Sequence, residues 1–143
     1  MVKALVNGST FARAMGAQFS VQDDDSIAAS VIIAPLQEGP PGYAHGGILA
    51  TFLDEAMGAS AWYAGYRVLA VHLGIDFKRP VPLGAEIRVS GRVERREGRK
   101  AFTVGSITLA DGTMAVSGSG IFVDAPQVLV NIDGFGFAPL SNE

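Results

Sequence analysis

The sequence predicts an α+β domain in which an antiparallel sheet has to cover one long helix. Two observations carry that prediction. From about Gly46 to Ala64, Ile48, Leu49, Phe52, Leu53, Ala56, Met57 and Ala59 occupy most of the helical circumference, the mark of a helix enclosed by other structure. After Gly65, four stretches of β composition follow with short turns between them, and short turns join antiparallel strands only.

Taken in order, the chain opens with a possible short helix capped near Ser9. Residues 17–22 and 26–34 then read as a hairpin about the turn-forming Asp23-Asp24-Asp25. Pro35 stops the second strand, and a loop through Gly39, Pro40, Pro41 and Gly42 leads to His45 and the long helix. The later strands are expected at 67–78, 85–96, 100–110 and 113–123. Asp111-Gly112 supplies a tight hairpin turn before the last of them. Within 85–93, Ile87, Val89, Gly91 and Val93 alternate with Glu86, Arg88, Ser90 and Arg92, so that strand has one dry and one wet face. Residues 125–143 read as a strand-like tail packing on the body or on a partner, with nothing in them that suggests chemistry. No internal repeat and no phosphate-binding Gly-rich loop is present in the sequence.

Length and composition limit the functions available. At 143 residues the chain accommodates one domain. Hydrophobic content of 48% with a mean hydropathy of +0.29 allows either a generous core or an oligomer interface. The absence of Cys removes disulfides, thiolate catalysis and Cys-based zinc sites, and two His argue against a His-rich metal site. No cofactor or metal is expected. A net charge of -3 argues against general nucleic-acid binding, and no uncharged apolar run reaches the roughly 18–20 residues of a membrane helix. The N-terminus lacks the continuous apolar segment of a signal peptide, so a cytoplasmic protein is expected. Basic residues are nonetheless clustered: eight of the 11 Lys and Arg (Lys78, Arg79, Arg88, Arg92, Arg95, Arg96, Arg99, Lys100) lie between positions 78 and 100. They form either a patch for an anionic small molecule or the solvated outer face of a strand pair.

The stretch EGPPGYAHGGILATFLDEAMG, residues 38–58, holds the chemistry. Gly46 and Gly47 fall where loop becomes helix, so their N–H groups belong to the unpaired first turn and a ligand can approach the backbone closely. The helix dipole favours an oxygen that gains negative charge there. The alternative is that the glycines only shape a turn. Asp54 shares a helical face with Gly47, Ala50, Thr51 and Gly58, whose small side chains leave room for a ligand; Glu55 points about a quarter turn away. A carboxylate inside an apolar helix is desolvated unless it is paired, faces a gap or does chemistry. Seven residues of helix span about 10 Å, too far for the Gly47 N–H and the Asp54 carboxylate to address one carbonyl group. If both act on one bond, they come from two chains, which predicts a homo-oligomer with sites at its interface.

His45-Gly46-Gly47 followed nine residues after the His by Asp54 resembles the HGG-x6-D signature of the hotdog-fold acyl-CoA thioesterases, of the phenylacetate-pathway and 4-hydroxybenzoyl-CoA thioesterase type. GPPGYAHGG before the helix and DFKRPVPLG (76–84) after it extend the resemblance, which covers about residues 17–124. It implies a single domain, a five- or six-stranded antiparallel sheet around the helix, and dimers joined sheet edge to sheet edge, often paired into tetramers. It also implies an acyl-CoA substrate. Carried over to this sequence, Asp54 is general base or nucleophile, Gly47, with possible help from Gly46, polarises the carbonyl, and His45 orients groups at the site mouth or simply bonds the helix backbone. Glu55 has no role in the resemblance and reads as structural. CoA phosphates need cations, for which Lys78, Arg79, Arg99 and Lys100 are the candidates. The sequence departs from the family pattern at Ala70, where many members have Ser or Thr, and at Gln37-Glu38-Gly39, where others have an Asn. Water would then be held by another group, His72 or Thr51. The competing readings are an acyl-CoA binder that does not hydrolyse and, further off, a hydratase on the same fold.

Overall fold

The computed structural model describes residues 2–132 and 134–140. In chain order the elements are β1 (Val2–Asn7), α1 (Thr10–Ala14), β2 (Ser20–Gln22), β3 (Ile27–Ile32), α2 (Gly46–Tyr63), β4 (Val68–Phe77), β5 (Glu86–Glu97), β6 (Lys100–Leu109), β7 (Met114–Asp124) and β8 (Gly136–Pro139). The strands form one sheet in the order β4-β7-β6-β5-β3-β2-β1-β8, each neighbouring pair antiparallel. The sheet wraps α2, as the enclosed helix required.

Eight strands replace the five or six expected. The additional ones are β1 and β8, which pair with each other from Ala4↔Pro139 to Asn7↔Gly136. The tail therefore packs on the body through β8, and Asp133 and residues 141–143 lie outside the described residues. Neither strand has a strong pattern of its own: in β1 only Val6 is buried, and β8 is four residues long with Gly at one end and Pro at the other. Pro is tolerated at the end of an edge strand because no ladder donor is needed there. The first hairpin forms at Asp23–Asp25, with its first strand shortened to Ser20–Gln22.

Three glycines determine how close the helix lies to the sheet. Gly91, Gly105 and Gly118 are cross-strand partners on β5, β6 and β7, a row beneath α2. A Cβ at Gly91 would stand 2.7 Å from backbone atoms of Ala56 and Met57. At Gly105 and Gly118 it would stand 3.1–3.2 Å from Leu53 and Met57 or Ile75 side-chain atoms. The row lets Leu53, Ala56 and Met57 reach zero exposure against the strands, each large side chain contributing about 1.5–3 kcal/mol of burial.

The ends of the wrapped sheet are β4 and β8. Between them a strip of α2 carrying Asp54, Glu55, Gly58, Ala59 and Trp62 faces a cavity rather than a strand. Among the described residues, no helix is long and apolar enough to cross a membrane.

Candidate active site

The approach to the helix is held by the loop before it. The Gln37 side chain is buried, its Oε1 accepting from the Ala34 N–H at 2.9 Å and its Nε2 donating to the Met15 carbonyl at 3.1 Å. The Gln37 carbonyl in turn accepts the His45 N–H at 2.7 Å. Gln37 is thus committed to the backbone and does not face a substrate. Gly39 passes so close that a Cβ would come within 2.7 Å of His45 Cα. These contacts fix His45 as the N-cap of α2.

As cap, His45 accepts the Gly47 N–H on Nδ1 at 2.8 Å, as Asn or Ser would with a side-chain oxygen. The backbone bond expected of a capping His45 is present, on Nδ1. The consequence falls on the glycines: the Gly47 N–H is engaged, whereas the Gly46 N–H has no acceptor among the described residues. Gly46 is therefore the donor left open at the positive end of α2. It lines a second cavity, of about 380 Å³, with Phe77, Lys78 and Arg79, so the DFKRP segment delivers two cations beside the helix start.

Asp54 lies two turns further on. Burial, and secondarily the charge of Glu55, raises its carboxyl above the usual 3.8. No hydrogen bond to Asp54 occurs among the described residues, which leaves its oxygens available. Glu55 instead accepts from Ser9 Oγ at 2.7 Å, and the same Oγ caps α1 by accepting the Ala12 N–H at 3.0 Å. That bond ties α1 to α2 through Glu55. Thr51 donates to the Gly47 carbonyl at 2.9 Å, within its own helix.

A cavity of about 340 Å³ starts at Asp54 and runs along α2 to Trp62, walled by Val68, Leu69 and Ala70 of β4, Phe122 of β7, and Phe135, Gly136 and Phe137 of the tail. The tail's part was missed in the sequence. Its only signal was the aromatic pair in Gly134-Phe135-Gly136-Phe137.

Other candidates are not brought to Asp54 within one chain. His72 follows a bulge between Ala70 and His72 and stands with Gly74 and Ser119 on the sheet face turned away from α2. Ala70, which does line the cavity, presents no hydroxyl. Arg99 donates to the Asp124 carbonyl at 3.1–3.2 Å, and the register places Lys100 level with Val123 and Leu69 at the start of β4. Lys78 follows Phe77 at the other end, roughly 25 Å along the strand. The two basic pairs therefore do not act on one phosphate group within a chain. The remaining basic residues of the cluster sit mostly on exposed β5: Arg95 pairs with Glu97 at 2.8 Å and covers the Phe102 ring at 3.8 Å, a solvated outer face.

Residues 41–116, from the loop before α2 into β7, match the family described as the thioesterase superfamily. The chain belongs to the thioesterase superfamily. Among curated members it is similar to the acyl-coenzyme A thioesterase THEM4 of Xenopus laevis, 44% identical over 80 residues that make up 56% of this chain and 36% of that protein. The THEM4 of Bos taurus is 36% identical over 90 residues, 62% of this chain and 37% of that protein. The chain thus spans about a third of the length of these relatives. A solved thioesterase superfamily protein superposes with a TM-score of 0.72 at 33% identity, covering 76% of this chain and 53% of that one. The E. coli PaaI protein of the phenylacetic acid degradation operon superposes with a TM-score of 0.76 at 18% identity, covering 82% and 85%. That likeness is one of fold: the hotdog arrangement of sheet around helix.

Proposed function

We propose that this chain hydrolyses acyl-CoA thioesters at a site completed by a second copy of itself. The observation that carries the reading is Asp54: a half-buried carboxylate, raised by burial and without a hydrogen-bond partner among the described residues, at the head of a largely apolar cavity. The names of the THEM4 relatives support a thioester substrate.

In this mechanism Asp54 takes a proton from water as the water oxygen attacks the thioester carbon. The carbonyl oxygen gains negative charge against the Gly46 N–H of the other copy. Collapse of the tetrahedral intermediate breaks the C–S bond; the CoA sulfur takes the proton, and a free acid leaves. Attack by Asp54 itself, through an anhydride that water then opens, uses the same groups. His45 positions the first turn, and Lys78 and Arg79 attract the phosphates of CoA. Asp54 follows Gly46 by eight helical steps, about 12 Å, so one chain cannot present both to one carbonyl.

The interface we infer is β4. It is an unpaired edge ten residues long, with Leu69, Val71, Leu73 and Phe77 exposed. Long apolar edges pair with a second strand unless they are protected. Pairing β4 with its own copy would extend the sheet across a dimer and bring the two α2 helices side by side.

Thiol release from a panel of acyl-CoAs tests the proposal directly, and a chain without Cys contributes no thiol of its own. Hydrolysis that falls about 10²–10⁴-fold in Asp54→Asn supports it. Undiminished hydrolysis in that variant refutes it. Ala70 favours one second reading, retention of the acyl-CoA without cleavage, because this position on the cavity wall supplies no hydroxyl to hold water. Saturable binding with no thiol released over hours would establish that reading.

A further inference from the structure

Resting on the thioesterase reading, we propose that the substrate's acyl chain is aliphatic and of medium length, lies along α2 in the cavity below Asp54, and is limited in length by Phe135 and Phe137 of the tail. Asp54, Gly58 and Trp62 are spaced four residues apart on one face of α2, so the cavity is a groove parallel to the helix axis. Gly58 and Ala59 keep its floor low. Several of its other polar residues are engaged: Gln18 donates to the Val6 and Phe19 carbonyls, Arg13 to the Gly8 carbonyl, and Glu55 accepts from Ser9. Asp54 is thus the lining carboxylate left without a hydrogen bond among the described residues, at the end where the thioester would react.

Both phenylalanines belong to the segment added beyond the wrapped core. The Phe135 ring lies 4.6 Å from that of Trp62, and the Phe137 ring 5.1 Å from that of Tyr63. Pairing of β8 on β1, with Phe137 opposite Val6, holds them there. They close the groove at the helix end farthest from Gly46.

The dimensions set the chain length. From Asp54 to Trp62 the helix rises about 12 Å. An extended chain advances roughly 1.1–1.2 Å per bond, so about ten chain atoms fit. A volume of about 340 Å³ is more than twice the ~150 Å³ that encloses one benzene ring, and its elongated form suits a flexible chain better than a single ring.

The test compares saturated acyl-CoAs from acetyl to hexadecanoyl on the full chain, reading thiol release and, in Asp54→Asn, the emission of Trp62, the chain's one tryptophan. Hydrolysis should peak near ten carbons. Phe135→Ala and Phe137→Ala should move the peak to longer chains, whereas Ala59→Leu, which fills the groove from its floor, should move it to shorter ones. Decanoyl-CoA should change Trp62 emission and acetyl-CoA should not. Identical chain-length profiles in the parent and all three variants overturn the proposal, as does an emission change equal for acetyl- and decanoyl-CoA. If no ester is hydrolysed yet Trp62 still responds only to the longer chains, the hydrolytic reading fails and the groove assignment stands.

Discussion

His45 Nδ1 accepts the Gly47 N–H at 2.8 Å, so the first turn of α2 keeps the Gly46 N–H as its open donor. A substitution can remove that donor without disturbing the helix. Gly46 is the first helical residue, where Pro is well tolerated, and His45 at φ -66 and ψ 132 already has the backbone geometry that precedes Pro. A Cβ at Gly46 meets only the Phe77 ring, at an ordinary 3.6 Å. Gly46→Pro should keep the melting temperature and lower kcat by about 10²–10³-fold, with Gly46→Ala, which retains the N–H, much less affected. Equal kcat in the Pro and Ala variants would remove Gly46 from the mechanism.

If each site draws Asp54 from one copy and Gly46 from the other, two inactive variants should restore each other. A heterodimer of Asp54→Asn and Gly46→Pro holds one intact site and one doubly defective site. Random exchange of equal amounts should therefore recover about a quarter of parental activity, since half the dimers are mixed and half their sites are whole. Activity that stays at the level of the separate variants would mean that each site is built from one chain.

The pH dependence follows from what raises Asp54. Burial is the larger cause and the Glu55 charge the second. Glu55→Gln removes that charge and keeps an oxygen for Ser9 Oγ, so α1 stays docked. Asp54 then ionises at lower pH, and the acidic limb of kcat against pH should shift downward, only in part because burial remains. Stability moves the other way from a paired carboxylate. With its folded pKa above the unfolded value, Asp54 lowers stability as pH rises from the ordinary 3.8 through its raised value. Asp54→Asn should consequently raise the melting temperature at neutral pH and lose that advantage at pH 3. An increment independent of pH would show that Asp54 is not strained by its burial.

What the sequence made legible were features that repeat along the chain. α2 and β4 to β7 fall within two residues of their expected bounds because each is a long stretch of helix-favouring or β-favouring residues bounded by turn residues. β1 and β8 carry no such pattern: β1 is held between β2 and β8, and β8 pairs on β1, information that no local window holds. The site divides in the same way. His45, Gly46, Gly47 and Asp54 lie on one helix and could be placed relative to one another by counting. Lys78 and Lys100 could not, since nearness in sequence does not say that β4 and the β5–β6 turn put them at opposite ends of the sheet. The tail's contact with Trp62 is likewise a product of tertiary pairing.

The glycine row beneath α2 gives a prediction about the scaffold that bears on catalysis. At Gly91 an added methyl would stand 2.7 Å from the backbone of Ala56 and Met57, and backbone atoms of an enclosed helix cannot step aside as a side chain would. Gly91→Ala should therefore push α2 away from β5 and destabilise the fold by at least about 1–3 kcal/mol, read as a lowered denaturation midpoint. Asp54 rides on the same helix one turn before Gly58, whose own Cβ would meet Phe122 at 3.2 Å. Moving α2 outward must narrow the groove against the tail. Gly91→Ala should thus lose activity on decanoyl-CoA faster than on acetyl-CoA at temperatures where the variant is still folded. An equal loss on both would mean that the helix shifts without changing the groove.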